Sequence, residues 1–153
     1  MAQDFFLIAV GKLQNEHLQA LENEYLKRLT FPKLNVTQVK AEAEDKEQEA
    51  KNILQKIKEL VGNTSYELIL LSEEGKTFTS SEFSFFLEKK IQTGKLLIFV
   101  IGGAMGHTDT LKKLAHHLFS LSPLTFPHKL ARLLFVEQYY RAQTIRTKHP
   151  YHH

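Results

Sequence analysis

The sequence predicts an α/β fold, a single domain built on a mostly parallel sheet flanked by helices, and three observations carry that expectation. Short, wholly apolar runs at Phe5–Val10, Leu68–Leu71 and Leu96–Ile101 alternate with longer segments whose apolar residues recur every three or four positions. The runs lack the in-out alternation of strands with one wet face, so they read as strands covered on both sides, as in parallel sheets. The chain has 153 residues, 42% of them hydrophobic and 24% charged, which is the size and make-up of one globular domain with its own core.

Phe5–Val10, ending at Gly11, is expected to be a central strand. Residues 14–29 place Leu18, Leu21, Tyr25, Leu26 and Leu29 along one face of an amphipathic helix, and Pro32 ends it. Leu34–Val39 follows as a second strand. Residues 41–61 read as a charge-rich helix whose apolar stripe, Ile53, Leu54, Ile57, Leu60 and Val61, is confined to its second half. Its first half is expected to be solvated or mobile, and Gly62-Asn63 stops it. Tyr66–Leu71 is the third strand, followed by a turn over Ser72–Lys76. Ser80 or Ser81 is expected to cap a helix that runs to about Gln92 and buries Phe83, Phe86, Leu87 and Ile91, with Gly94 closing it. Leu96–Ile101 is a fourth strand, and Gly102-Gly103-Ala104-Met105-Gly106 turns the chain into a helix from about Thr108 to His117. A short strand at Leu118–Leu121 and a last helix from about Pro127 to Thr147 complete the order, proline being at home in a first helical turn.

Composition narrows the chemistry. The apolar runs are far short of the roughly 20 residues a bilayer span needs, so no transmembrane helix is expected. Met1-Ala2-Gln3-Asp4 does not open a signal peptide, and a cytoplasmic location follows as the expectation. Without cysteine there is no disulfide, thiolate nucleophile or Cys-based metal site. His149, His152 and His153 have no carboxylate near them in sequence, so no metal is expected either. Net charge is only +3, but residues 128–153 hold five basic residues against Glu137 alone. That stretch also holds four histidines and Tyr139, Tyr140 and Tyr151, a mixture suited to phosphates and stacked bases or to an ordinary solvated helix face.

In sheets of this kind ligands bind beyond the carboxyl ends of the strands, which directs attention to the loops after Leu71, Ile101 and Leu121. Gly102, Gly103 and Gly106 would let backbone approach a ligand closely, yet they match neither the dinucleotide fingerprint nor the P-loop. Leu121–His128 sets apolar side chains among turn-formers. It is either a flat slot whose backbone could read a ligand such as adenine, or a loop burying its own side chains.

Four segments in order, Phe99-Val100-Ile101-Gly102-Gly103-x-x-Gly106, Leu121-Ser122-x-x-Thr125-Phe126-Pro127-His128 with Arg132, Glu137-Gln138-x-Tyr140-Arg141-Ala142, and His149-Pro150-Tyr151-His152, carry a family resemblance. Together they resemble the SPOUT-class methyltransferases that N3-methylate a pseudouridine in large-subunit (23S) ribosomal RNA, over the whole chain. The resemblance implies one methyltransferase domain over residues 1–153, a C-terminal trefoil knot, a homodimer, S-adenosylmethionine as methyl donor without metal, and ribosomal RNA within the ribosome as substrate. Carried over by position, it implies cofactor contacts at Leu71, Gly102, Leu121, Ser122, Pro123, Leu124, Thr125 and Phe126. It implies catalytic roles for His128, Glu137, His149, Tyr151 and His152, the tail of one subunit closing over the cofactor of the other. Arg132, Arg141 and His153 are the expected RNA contacts. Two departures stand out: Ala104-Met105 where the family often has a polar pair, and His153 where it commonly has Arg or Lys. The competing readings are a catalytically silent RNA-binding or ribosome-associated module of the same fold, a flavodoxin-like nucleotide or flavin binder, and a purely structural dimer.

Overall fold

The computed structural model describes residues 3–103 and 106–153. Its strands are β1 (Phe5–Val10), β2 (Leu34–Val39), β3 (Tyr66–Thr77), β4 (Leu96–Ile101) and β5 (His117–Ser120). Its helices are α1 (Glu16–Arg28), α2 (Lys46–Val61), α3 (Ser80–Thr93), α4 (Asp109–Leu114) and α5 (His128–Arg146). The strands form one sheet in the order β2-β1-β4-β3-β5, and every pairing is parallel. β4 is buried at all six residues because it has β1 on one side and β3 on the other, which is why its sequence is apolar throughout. α5 packs between α1 and α3 and reaches the sheet through Phe135 and Tyr139, whose rings lie 4.8 and 6.3 Å from that of Phe99. Phe83 of α3 and Phe119 of β5 extend this aromatic core, 4.9 Å apart and edge to face.

Several boundaries differ from the sequence expectation, each for a visible reason. α1 starts at Glu16 because the Asn15 side chain accepts from the amides of His17 and Leu18 at 3.0 and 3.1 Å. α2 starts at Lys46, with Asp45 capping Gln48 at 3.0 Å, so residues 41–45 lie outside the helix. Its first turns are not simply solvated, since Glu49 and Ala50 are buried. α3 is capped by Thr79, not by Ser80 or Ser81. The Thr79 hydroxyl accepts from the Glu82 amide at 3.1 Å while the Glu82 carboxylate accepts from the Thr79 amide at 2.8 Å. α4 stops at Leu114, and His116-His117 are not helical. His116 pairs with β3 through its amide, donated to the Leu68 carbonyl at 2.8 Å, and through Nδ1, which accepts from the Leu68 amide at 2.8 Å.

The largest difference lies in β3. Ser72–Lys76 is not a turn; the strand continues to Thr77 through a bulge, and Leu71 and Lys76 both stand opposite Phe119. Gly75 is what permits the bulge, because a Cβ there would lie 2.5 Å from the backbone of Leu118 and Phe119. At the other end of β3, Glu67 is buried and accepts from Lys90 and His117, each at 2.8 Å. Burial raises its pKa, but the hydrogen bonds and charges of Lys90 and His117 outweigh that and hold the carboxyl below the ordinary glutamate range. A carboxylate whose folded pKa is depressed contributes stability above its unfolded value and loses it as pH falls through the folded one. Thermal unfolding at stepwise lower pH should therefore show Glu67→Gln losing less stability than the parent chain below the ordinary glutamate range, with the parent ahead at neutrality.

Candidate active site

The registers of the sheet bring the bulge of β3 level with the carboxyl ends of β4 and β5. Leu71 pairs with Ile101 on one side and with Phe119 on the other, so the chain bulges from β3 and leaves β4 and β5 at neighbouring points. Between these exits and the first turn of α5 lies a cleft of about 590 Å³, within the range of small-molecule sites. Leu71, Gly102, Leu121, Ser122, Leu124, Thr125 and Phe126 line it together with His128 at the head of α5. Pro123 does not line it. Ser120 and Ser122 shape the last loop: the Ser120 hydroxyl donates to the Ser122 carbonyl at 2.9 Å and the Ser122 hydroxyl accepts from the Leu124 amide at 3.0 Å. Leu121 packs partly against the core, whereas Leu124 is 70% exposed, so the loop does not bury all of its apolar side chains and leaves Leu124 open beside the cleft. Lys46 and Lys112 share the rim with Glu73 and Glu74, and Lys112 lies 3.2 Å from both carboxylate oxygens of Glu74.

The glycine turn is packed differently from the sequence expectation. A Cβ on Gly102 would meet Cε1 of His107 at 3.0 Å, and one on Gly103 would meet the Glu49 carboxylate at 3.1 and 3.2 Å. The space left by the missing side chains is thus filled by protein: an imidazole from the start of α4 and a carboxylate from α2. Ala104 and Met105 lie outside the described residues. His107 and Glu49 were not legible as site residues; the available hint was a titratable side chain directly after the last glycine of a strand-end turn. His107 is buried, and Nε2 stands 3.0 Å from the Leu71 carbonyl. Burial holds its pKa below the usual histidine range; the hydrogen bond to Leu71 acts against this, while Lys112 and Lys46 add to it.

The remaining expected residues separate into two groups. Glu137, Arg141, Tyr151 and His152 form one cluster. Arg141 donates through Nε and Nη2 to Glu137 at 3.1 and 2.9 Å, the Tyr151 hydroxyl donates to Glu137 at 2.8 Å, and Nη1 of Arg141 is 3.1 Å from Nδ1 of His152. The Tyr151 ring lies 4.8 Å from Tyr140 and 4.8 Å beneath the Arg141 guanidinium. Burial, with the hydrogen bonds to Tyr25 and Glu137, pushes the Tyr151 pKa well above the ordinary phenol value, so the hydroxyl stays protonated. His149 shapes the tail by accepting from the Tyr151 amide at 3.1 Å, and His153 is exposed. α5 carries His128 at one end, and at about 1.5 Å per residue Glu137 lies roughly 13 Å and Arg141 roughly 20 Å further along it. Within one chain only His128 of the expected catalytic group reaches the cleft.

Arg132 is a correction. The residue is 8% exposed, its guanidinium bidentate on Glu22 at 2.7 and 2.9 Å, with Nη1 donating to Gln38 at 3.0 Å. It ties α5 to α1 and β2 and is not presented to a phosphate. Among the described residues no three His, Asp or Glu side chains converge as metal ligands would. Nor is any helix among them long and apolar enough to cross a membrane.

Residues 4–152 match the family model for predicted SPOUT methyltransferases. A protein of Flavobacterium johnsoniae named Ribosomal RNA large subunit methyltransferase H is 43% identical over 157 residues, covering 96% of this chain and 97% of that one. The fold is similar to that of a probable methyltransferase from Bordetella pertussis Tohama I, with a TM-score of 0.55 at 12% identity, over 92% of this chain and 94% of that one. It is also similar to the SpoU methyltransferase AviRb of Streptomyces viridochromogenes in complex with the cofactor AdoMet, with a TM-score of 0.52 at 11% identity, over 95% of this chain and 59% of that one.

Removing one member of a buried ion pair leaves an uncompensated charge, so Arg132→Ala should lose about 3–5 kcal/mol in chemical denaturation. Replacing Glu22 and Arg132 together by apolar residues of similar volume should recover most of that loss, an outcome a phosphate-binding arginine would not give.

Proposed function

The chain belongs to the SPOUT methyltransferase family, and from that premise we propose that it methylates N3 of a pseudouridine in large-subunit (23S) ribosomal RNA with S-adenosylmethionine as donor. It does so as a homodimer in the bacterial cytoplasm, on the assembled ribosome, through one domain spanning residues 1–153 that carries the family's C-terminal trefoil knot. The observation that carries the reading is the meeting of Leu71, Gly102 and the Leu121–Phe126 loop, three separate stretches of chain, around one cleft. The relative's name, Ribosomal RNA large subunit methyltransferase H, supports the substrate.

The cleft fits the donor. Its volume suits a molecule of that size, and Leu121, Leu124 and Phe126 offer an apolar wall for an adenine ring. Bound there, the sulfonium supplies an electrophilic methyl group. The chain's task is then placement, since most of the rate in such a transfer comes from holding the nucleophile in line. N3 of pseudouridine is an imide nitrogen that must give up its proton. His128, at the cleft, is placed to share it from one subunit.

The tail cluster of the partner subunit completes the site. Glu137 and Arg141 fix Tyr151 and orient His152, and His149 sets the turn that brings them there. With Arg132 engaged inside the protein, Arg141 and the exposed His153 remain as RNA contacts, and His153 contributes charge only when protonated. Leu130 and Leu134, one turn apart on α5, are exposed, as is Leu21 of α1. These apolar positions support a face that meets a second copy.

Labelled S-adenosylmethionine should transfer its methyl group to pseudouridine of ribosomes lacking the modification, and poorly to free ribosomal RNA. A chain that binds no donor and labels neither substrate is the silent RNA-binding module instead. Gly102→Val in the cleft and Tyr151→Ala in the tail should each abolish transfer as homodimers. A one-to-one mixture of the two, allowed to exchange subunits, should recover about a quarter of the parent rate, because half of the dimers are then heterodimers and one of the two sites in each combines an intact cleft with an intact partner tail. Tails acting on their own chain's cleft would give no recovery.

A further inference from the structure

One buried polar group in the cleft takes no part in the mechanism above. His107 is 5% exposed, and its Nε2 lies 3.0 Å from the carbonyl oxygen of Leu71. A carbonyl can only accept, so Nε2 carries the ring proton and Nδ1 is a bare lone pair. That Nδ1 is buried and has no hydrogen-bond partner among the described residues. The same ring rests on Gly102, where a Cβ would come within 3.0 Å of Cε1 and 3.1 Å of Nδ1. One imidazole therefore touches the chain where β3 bulges and where β4 ends, at two residues that line the cleft.

We infer that His107 is a positioning residue: neutral, it latches β3 at the start of its bulge to the glycine turn and holds the cleft in the shape that takes the adenosyl ligand, and protonation at Nδ1 releases the latch. The inference rests on the reading of this cleft as the S-adenosylmethionine site. Its physical basis is the environment of Nδ1. A proton there would form an N–H with no acceptor in a dry site. The new charge would face Lys112 of α4 and Lys46 of α2, both of which oppose it. Among the described residues none of the carboxylates around the cleft hydrogen-bonds the ring: Glu74 of β3 is paired with Lys112, Glu49 of α2 lies against Gly103 and accepts from the Glu42 amide at 3.0 Å, and Glu73 of β3 lines the cleft. His128 of α5 is a second imidazole lining the cleft, so a test must separate the two. Burial of His107 keeps the ring neutral at neutral pH, which matches the latched state.

The experiment is calorimetric titration of the full chain with S-adenosylmethionine at about pH 8 and about pH 5.5, beside ¹⁵N imidazole spectra of the ligand-free protein. The parent chain should bind more weakly at the lower pH, by severalfold and less than tenfold, because affinity falls in proportion to the neutral fraction and a ring held below the usual histidine range is only partly charged there. His107→Gln, whose amide can donate to Leu71 but does not titrate, should show an affinity that does not change between the two. The spectra should show His107 neutral with the proton on Nε2 at neutrality, becoming charged over the range in which affinity falls. A parent affinity that is flat with pH, or a His107→Gln variant that weakens as the parent does, overturns the inference and leaves the cofactor reading standing. A His107 ring charged at neutrality, or protonated on Nδ1, overturns it without any variant. A parent chain that binds no donor at either pH overturns both readings.

Discussion

Strand β4 is hydrogen-bonded to β1 on one edge and β3 on the other and is buried at every residue. A strand covered on both faces cannot slip by one residue without exchanging every side chain between two packed layers, so its register is strongly held. Everything at the candidate site follows from that constraint. With Leu71 level with Ile101 and with Phe119, three loops distant in sequence must leave the sheet side by side, and a cleft forms where they part. The bulge in β3 belongs to the same arrangement. It returns Lys76 to Phe119 after Leu71 has already paired there, and pushes Ser72–Glu74 out to wall the cleft.

α5 is the second organising element, and it works by length. Its first turn brings His128 to the cleft, its middle carries Phe135 into the aromatic core, and its far half carries Glu137 and Arg141 to the tail. One rigid helix thus keeps the two candidate catalytic groups apart within a chain. The buried Glu22–Arg132 pair holds that helix to α1 and, through Gln38, to β2. Such a pair adds little net stability compared with good apolar packing, but it admits one geometry only, and a mispacked α5 would strand two charges in the core.

The glycine turn shows how an open-looking sequence can describe a crowded place. Gly102 and Gly103 are flanked by His107 and Glu49, two titratable groups delivered by different helices. The space beside the turn is therefore filled by side chains where a run of glycines alone suggests plain backbone.

The sequence by itself determined the local elements and their order. Apolar runs that must be buried on both faces located β1 and β4 to the residue, and the placement of strand-end loops in parallel sheets pointed to the loops after Leu71, Ile101 and Leu121 before any cleft was visible. The reciprocal cap of Thr79 and Glu82 is legible too, as Thr-x-x-Glu, although Ser80 and Ser81 beside it offer the same capping chemistry. Only the tertiary structure decided which charges are spent inside the protein. Arg132 reads as a phosphate ligand until Glu22, 110 positions earlier, is brought against it, and His107 reads as an unremarkable loop residue until Leu71 of β3 comes within a hydrogen bond. The difference is physical: burial and periodicity act between near neighbours and leave a pattern in the chain, whereas a buried polar pair is defined by two residues that only the folded sheet and its helices bring together.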